Sequence, residues 1–212
     1  MVLNEAAKRL GVSLRQTEDT LTRDMLASTA SILNCTGGVN GDNPTEITRS
    51  DVDKVIKTLQ GNNAKTILSG QRGEDRFGSA PVRWAYMSLC STDLIGNLEN
   101  ISGFIASAQY PNPMDTLEAE WGSVSNLRFL VSSIGSFTAS ASNLGASVYN
   151  IFNVGQEAYA CVEQDGASAQ FIYRPPIYDS PLALNASAGY TFMEVPRILN
   201  DQWVINLRAT LA

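Results

Sequence analysis

Apolar residues, joined by Thr17 and Ser28, recur at steps of three and four from the first residues of the chain: Leu3, Ala7, Leu10, Leu14, Thr17, Leu21, Met25, Ser28 and Ile32. That spacing puts them on one face of a helix. Most charged residues of the stretch, among them Glu5, Lys8, Arg9, Arg15 and Glu18, fall elsewhere. Gly11 costs about 1 kcal/mol against alanine and marks a place to bend. A helix continuous to Leu33 would be about 45 Å long, more than a compact domain of this size needs. Its apolar stripe must therefore pack on something, for which another subunit is one candidate. Glycine and asparagine then break the pattern over 36–51. That stretch lacks the spacing of a phosphate loop or of a calcium loop, and reads as a connector. Val52, Val55, Ile56 and Leu59 predict a second helix over 51–60, with Ser50 as its cap and Asp51 and Asp53 suiting its dipole.

Beyond this the period changes. Residues 61–81 are polar and glycine-rich, with a charged tip of Arg72, Glu74, Asp75 and Arg76. The tip is either a solvated loop or a contact surface. Arg83–Cys90 reads as a buried strand, and Ser91 as the cap of a short helix containing Asp93, Leu94 and Leu98. Tyr110-Pro-Asn-Pro113 excludes regular structure. Leu127–Val131 predicts a strand, and 135–147, containing Ser136 and Asn143, a small-residue loop. Strands are expected over 148–154 and 158–164, with another ending in prolines over 169–181. Trp203, Ile205 and Leu207 alternate with Val204, Asn206 and Arg208, as in a half-buried strand whose antiparallel partner would be 189–195. The order is α+β, with the ends of the chain brought together.

The candidate chemistry is sparse. The 212 residues contain no histidine, which removes Ser-His-Asp and Cys-His nucleophiles within one chain. Cys35, Cys90 and Cys161 form no CxxC pair, so neither a zinc site nor a disulfide framework is indicated. Ser91 has no SxxK spacing to supply a lysine base. Glu118 and Glu120 would share a side of a strand and are the one carboxylate pair worth testing as a hydrolase site. An exposed acidic edge is the plainer reading of them. Pro175-Pro-Ile-Tyr178 matches the short ligand of WW domains, which would make the chain an adaptor. The net charge of −6 argues against a nucleic-acid-binding face. No apolar run is long enough to span a membrane, and the N-terminus lacks the apolar core of a signal peptide, so the reading at this point is a soluble protein.

Six blocks in order carry a resemblance. They are TLTRDMLASTASILN, SDVDKVIKTLQGNNAKT, PVRWAYMSLCSTDLIGNLENISGFI, WGSVSNLRFLVSS, VYNIFNVGQEAYACV and RILNDQWVINLRATLA. Together, from about Thr20 to Arg208, they resemble the major capsid proteins of tailed bacteriophages. The resemblance implies the capsid fold shared by tailed phages and herpesviruses. It would place residues 1–35 and 170–212 in a peripheral-type domain with a long spine helix. Residues 36–169 would form an axial-type α/β domain. It further implies a structural, non-enzymatic subunit without cofactor, built into an icosahedral virion shell that encloses the genome and is assembled in the bacterial cytoplasm. The partners would be copies of itself in pentamers and hexamers, with other capsid or scaffolding proteins as further candidates, and neither specific nucleic acid nor membrane. The contact residues would then be Arg72, Glu74, Asp75, Arg76, Ser136 and Asn143. Members of the family also carry an N-terminal arm and an extended hairpin loop before the spine helix. Met1 falls inside the helix here, so both are expected to be absent.

Overall fold

The computed structural model describes residues 2–29, 31–36, 43–67, 85–110, 116–117, 119–138, 147–163, 169–176, 182 and 186–211. The chain divides into two compact units: residues 1–22 with 160–197, and residues 23–159 with 198–212.

The larger unit is built on one mixed sheet. In chain order its elements are the end of helix α1 (Val2–Ala27), β1 (Ile32–Asn34), α2 (Arg49–Gly61), β2 (Tyr86–Ser91) and α3 (Ile95–Glu99). They are followed by β3 (Ile105–Ala106), β4 (Glu120–Val124), β5 (Leu127–Ser132), β6 (Phe137–Thr138) and β7 (Val148–Val154). The strands β8 (Tyr159–Glu163), β9 (Gln170–Arg174), β10 (Ser187–Thr191) and β11 (Glu194–Ile198) intervene before β12 (Val204–Thr210). The sheet order is β1-β12-β7-β2-β5-β4-β3, with β6 also paired to β7. β1 runs parallel to β12 and β2 parallel to β5; the remaining pairings are antiparallel.

The alternating pattern of each central strand serves two cores at once. Tyr149 and Ile151 of β7 share a cluster with Tyr86, Leu127, Phe129, Ile205 and Leu207, capped by Val52, Val55, Ile56 and Leu59 of α2. The intervening residues Phe152 and Val154 join Met87, Val204 and Leu26 in a second cluster. Each such side chain removed from water stabilises the fold by about 1.5–3 kcal/mol. Polar side chains in the sheet interior are hydrogen-bonded, as burial demands, although Asn206 Oδ1 has no partner among the described residues. Ser88 Oγ donates to Asn153 Oδ1 at 2.5 Å, and Asn153 Nδ2 reaches the carbonyls of Ile151 and Ile205 at 3.1 and 3.2 Å. Asn206 Nδ2 donates to Asn150 Oδ1 at 3.1 Å.

The smaller unit holds residues 2–22 of α1 and two ribbons of two strands each, β9 with β10 and β8 with β11. Cross-strand partners in the first ribbon are Phe171 with Tyr190, Ile172 with Gly189 and Tyr173 with Ala188. Tyr190 OH lies 3.4 Å from both Ser13 Oγ and Thr17 Oγ1 of α1.

Several expectations change. The first helix stops at Ala27 rather than running to Leu33. Thr29 Oγ1 donates to Asp201 Oδ1 at 2.5 Å and Ser31 Oγ to the Asp201 carbonyl at 2.9 Å. These bonds tie the chain beyond the helix to Asp201, and at the helix end Ser28 Oγ donates back to the Met25 carbonyl at 2.6 Å. Leu26, outside the expected stripe, is the deeply buried residue of this helix end, while Leu21 is exposed. Thr48, not Ser50, caps α2: the Asp51 carboxylate returns to the Thr48 N–H at 3.1 Å, closing a capping box. The last strand, expected to be half-buried beside 189–195, is buried along most of its length between β1 and β7. Residues 189–191 pair with β9 instead.

Candidate functional site

Ser91 does what its position at the end of a strand predicts. Its Oγ accepts the Asp93 N–H at 3.3 Å, capping the 3-10 turn Thr92–Leu94 that leads into α3. The hydroxyl itself donates to Asp93 Oδ2 at 3.4 Å, within the same capped turn. The neighbouring Cys90 thiol donates to the Leu130 carbonyl at 3.4 Å, and burial pushes its pKa up to about 12. Burial likewise raises Cys35, with Asp51 adding to the effect. Both groups remain thiols near neutrality, and a thiol is a poor nucleophile. Asp51 is occupied by capping, with Oδ1 also accepting the Thr36 N–H at 3.1 Å, and Asp53 pairs with Arg49 at 3.1 Å.

The carboxylate pair does not form a site. Glu118 lies outside the described residues. Glu120, expected on an exposed edge, is buried and committed on every side. Oε1 accepts Arg128 Nε at 2.8 Å and Tyr110 OH at 3.0 Å. Oε2 takes Arg128 Nη2 and the Leu117 N–H, the latter at 3.0 Å. Burial raises the pKa of Tyr110 to about 12, so the phenol stays a donor. This cluster ties Tyr110, Leu117 and β5 to one carboxylate, an arrangement suited to holding backbone rather than to proton transfer. Among the described residues no group of three or more Cys, Asp or Glu side chains is placed to hold a metal ion, and no helix is long and apolar enough to cross a membrane.

Of the residues expected at contacts, Arg72, Glu74, Asp75, Arg76 and Asn143 lie outside the described residues. Ser136 is half-buried. Its carbonyl accepts the Asn150 N–H and its Oγ the Asn150 side chain, both at 3.0 Å. In Pro175–Tyr178 the last two residues lie outside the description.

What sequence reasoning missed is an apolar surface. Nine of the sixteen large apolar side chains that are exposed among the described residues belong to the smaller unit, although it is the smaller part of the chain. They include Phe171, Ile172, Tyr173, Val162, Met193 and Val195. No described side chain of that unit is among the buried residues. Its signal was present in Phe171-Ile-Tyr173: three large apolar residues in succession on a strand must face both sides.

The long helix, the large mixed sheet and the paired ribbons have the tailed-phage capsid fold, which solved phage capsid chains share. No protein-family model matches the chain, and no curated protein matches it in sequence. In structure it is similar to a chain from the head of Helicobacter pylori bacteriophage KHP40, with a TM-score of 0.63 at 12% identity, covering 99% of this chain and 68% of that one. A chain of the acidic stable capsid of Helicobacter pylori bacteriophage KHP30 gives 0.61 at 12% identity, with 99% and 69% covered. One from the capsid of Ralstonia phage GP4 gives 0.57 at 15% identity, with 99% and 68% covered. At such identities what is shared is the fold.

Proposed function

We propose that the chain is a structural subunit of a bacteriophage capsid, assembling with copies of itself into the shell that encloses the genome. The observation that carries this is the match of almost the whole chain to phage capsid and head structures. A unit in which no described side chain is buried is the physical counterpart: a surface of this kind is stable when other molecules cover it. In this reading residues 1–35 and 170–212 form the peripheral-type domain and residues 36–169 the axial-type domain, although the compact units divide at 22, 159 and 197. The shell is the virion capsid, assembled in the host cytoplasm from pentamers and hexamers. Arg72, Glu74, Asp75, Arg76, Ser136 and Asn143 are proposed contacts between subunits. The protein is not an enzyme in this reading, in keeping with the occupied Glu120 and the capping role of Ser91.

The test is negative-stain electron microscopy of the purified chain over a concentration series, with mass measured by light scattering. Rings of five or six, or closed shells, are expected. A monomer at every concentration would overturn self-assembly as the activity of this chain.

A further inference from the structure

One end of the large sheet is β3, whose two residues, Ile105 and Ala106, pair with Ser123 and Gly122 of β4. An added Cβ at Gly122 would run into the Phe104 ring and the Ile105 carbonyl, so β3 reaches β4 because position 122 is bare. Among the described residues from 105 to 119, Tyr110 alone has a buried side chain. Ile105 and Leu117 are exposed. Little apolar burial therefore fastens this margin, and one carboxylate takes up the task. Glu120 accepts the Tyr110 hydroxyl on Oε1 and the Leu117 N–H on Oε2, each at 3.0 Å. Its own N–H donates back to the Leu117 carbonyl at 3.1 Å. Between them and the body stands Ala119. Its φ of 65° lies in the left-handed region that a Cβ disfavours, and its carbonyl takes the Val131 N–H of β5 at 2.9 Å.

We propose that Glu120 is a latch: Ile105–Tyr110 and Leu117 leave the sheet together, hinged at Ala119, while β4, β5 and the strands beyond them stay paired. The inference does not depend on the shell reading. A carboxylate offers about four acceptor positions. Arg128 fills two of them from β5, and the two margin stretches fill the others. Because both stretches share the group, the one that leaves first hands an oxygen to water and weakens the hold on the other. Segments with few buried apolar contacts open at a lower free energy than the whole fold, and left-handed non-glycine backbone collects where structures switch. Release uncovers Arg128, 1% exposed in the latched form, together with the outer edge of β4.

Amide hydrogen exchange of the full chain, read residue by residue by NMR, tests this with two variants. Tyr110→Phe keeps the ring and removes one hydroxyl. It should speed exchange at the Leu117 and Glu120 amides at least about fivefold, although neither residue is altered, because hydrogen bonds to charged groups are among the stronger ones. Ile151→Val thins the core at β7, which stays folded when the latch opens. It should speed the amides of Val148–Val154 and leave those of Tyr110, Leu117 and Glu120 as they were. Should these three instead follow the β7 amides in Ile151→Val, the margin opens only with the whole unit and there is no latch. A Tyr110→Phe variant that leaves Leu117 exchange unchanged, whatever happens at residue 110, would make the two stretches independent and overturn the coupling through Glu120.

Discussion

Replacing Arg128 by methionine isolates the most consequential charge in the larger unit. The Arg128 and Glu120 side chains are 1% and 0% exposed. Arg128 supplies two of the four hydrogen bonds that reach the Glu120 carboxylate, and the Tyr110 hydroxyl and the Leu117 N–H supply the others. The variant leaves a buried carboxylate without its cation, and breaking such a pair costs about 3–5 kcal/mol. Against a total of about 5–15 kcal/mol for a typical domain this is a large fraction. With a urea slope of about 2 kcal/mol/M, the unfolding midpoint should fall by roughly 1.5–2.5 M. The double variant Arg128→Met with Glu120→Met should recover about half of the loss, because an apolar pair of similar volume is often neutral or better. Tyr110 and Leu117 would still lose their acceptor, at about 1 kcal/mol each. The assay is urea unfolding followed by tryptophan fluorescence, arranged as a double-mutant cycle. A single variant costing under 1 kcal/mol, or a double variant as unstable as the single, would refute the view that the cost comes from an orphaned charge.

Two glycines should respond in opposite directions. Gly135→Ala drives a Cβ into the Ser91 backbone and Cβ and should cost about 1–3 kcal/mol. Gly11→Ala, in open space on α1, should gain about 1 kcal/mol; thermal unfolding of both reads the difference. Alkaline stability should follow the buried thiol of Cys90, whose folded pKa lies near 12 against an ordinary 9.0. A raised folded value means its contribution is complete below pH 9 and fades as pH climbs toward 12, by about 1.4 kcal/mol per unit. Cys90→Ala should make that limb of the stability–pH curve shallower, with Cys35 and Tyr110, also raised by burial, keeping the rest of the slope. Thiol labelling at pH 8 should modify the exposed Cys161 rapidly and the buried Cys35 and Cys90 only after unfolding, as mass spectrometry would show.

The sequence made the elements legible more readily than their neighbours. Trp203, Ile205 and Leu207 announce a strand, but alternation tells which side a residue faces and not which strand lies alongside. Asn206 then misleads, because a buried asparagine bonded to Asn150 looks in the pattern like an exposed polar residue. The helix boundary was hidden for a similar reason. Steps of three and four continue through Ser28 to Ile32, whereas Thr29 and Ser31 are engaged by Asp201, far along the chain. Glu120 was read as exposed because charges usually are. Its partner Arg128 lies across the hairpin joining β4 to β5, where Val124 pairs with Leu127 and Ser125 has φ of 53°. A carboxylate and a guanidinium flanking a Ser-Asn turn were the available clue. The contact surface was less legible still, since an exposed Ile172 and a buried Ile205 look identical until the fold decides.

The position of β12 sets the timetable of synthesis. The strand made last lies between β1, among the first made, and β7. While the ribosome is still reading the final codons of the sheet, β1 has no partner and β7 shows an open edge along the register later filled by Val204–Thr210. Pairings this distant in sequence form slowly, and unpaired edges invite the wrong neighbour. A chain of this topology therefore presents a sheet with a slot in it from the emergence of β7 to that of β12, and its yield in the cell will depend on whatever keeps that slot empty in the interval.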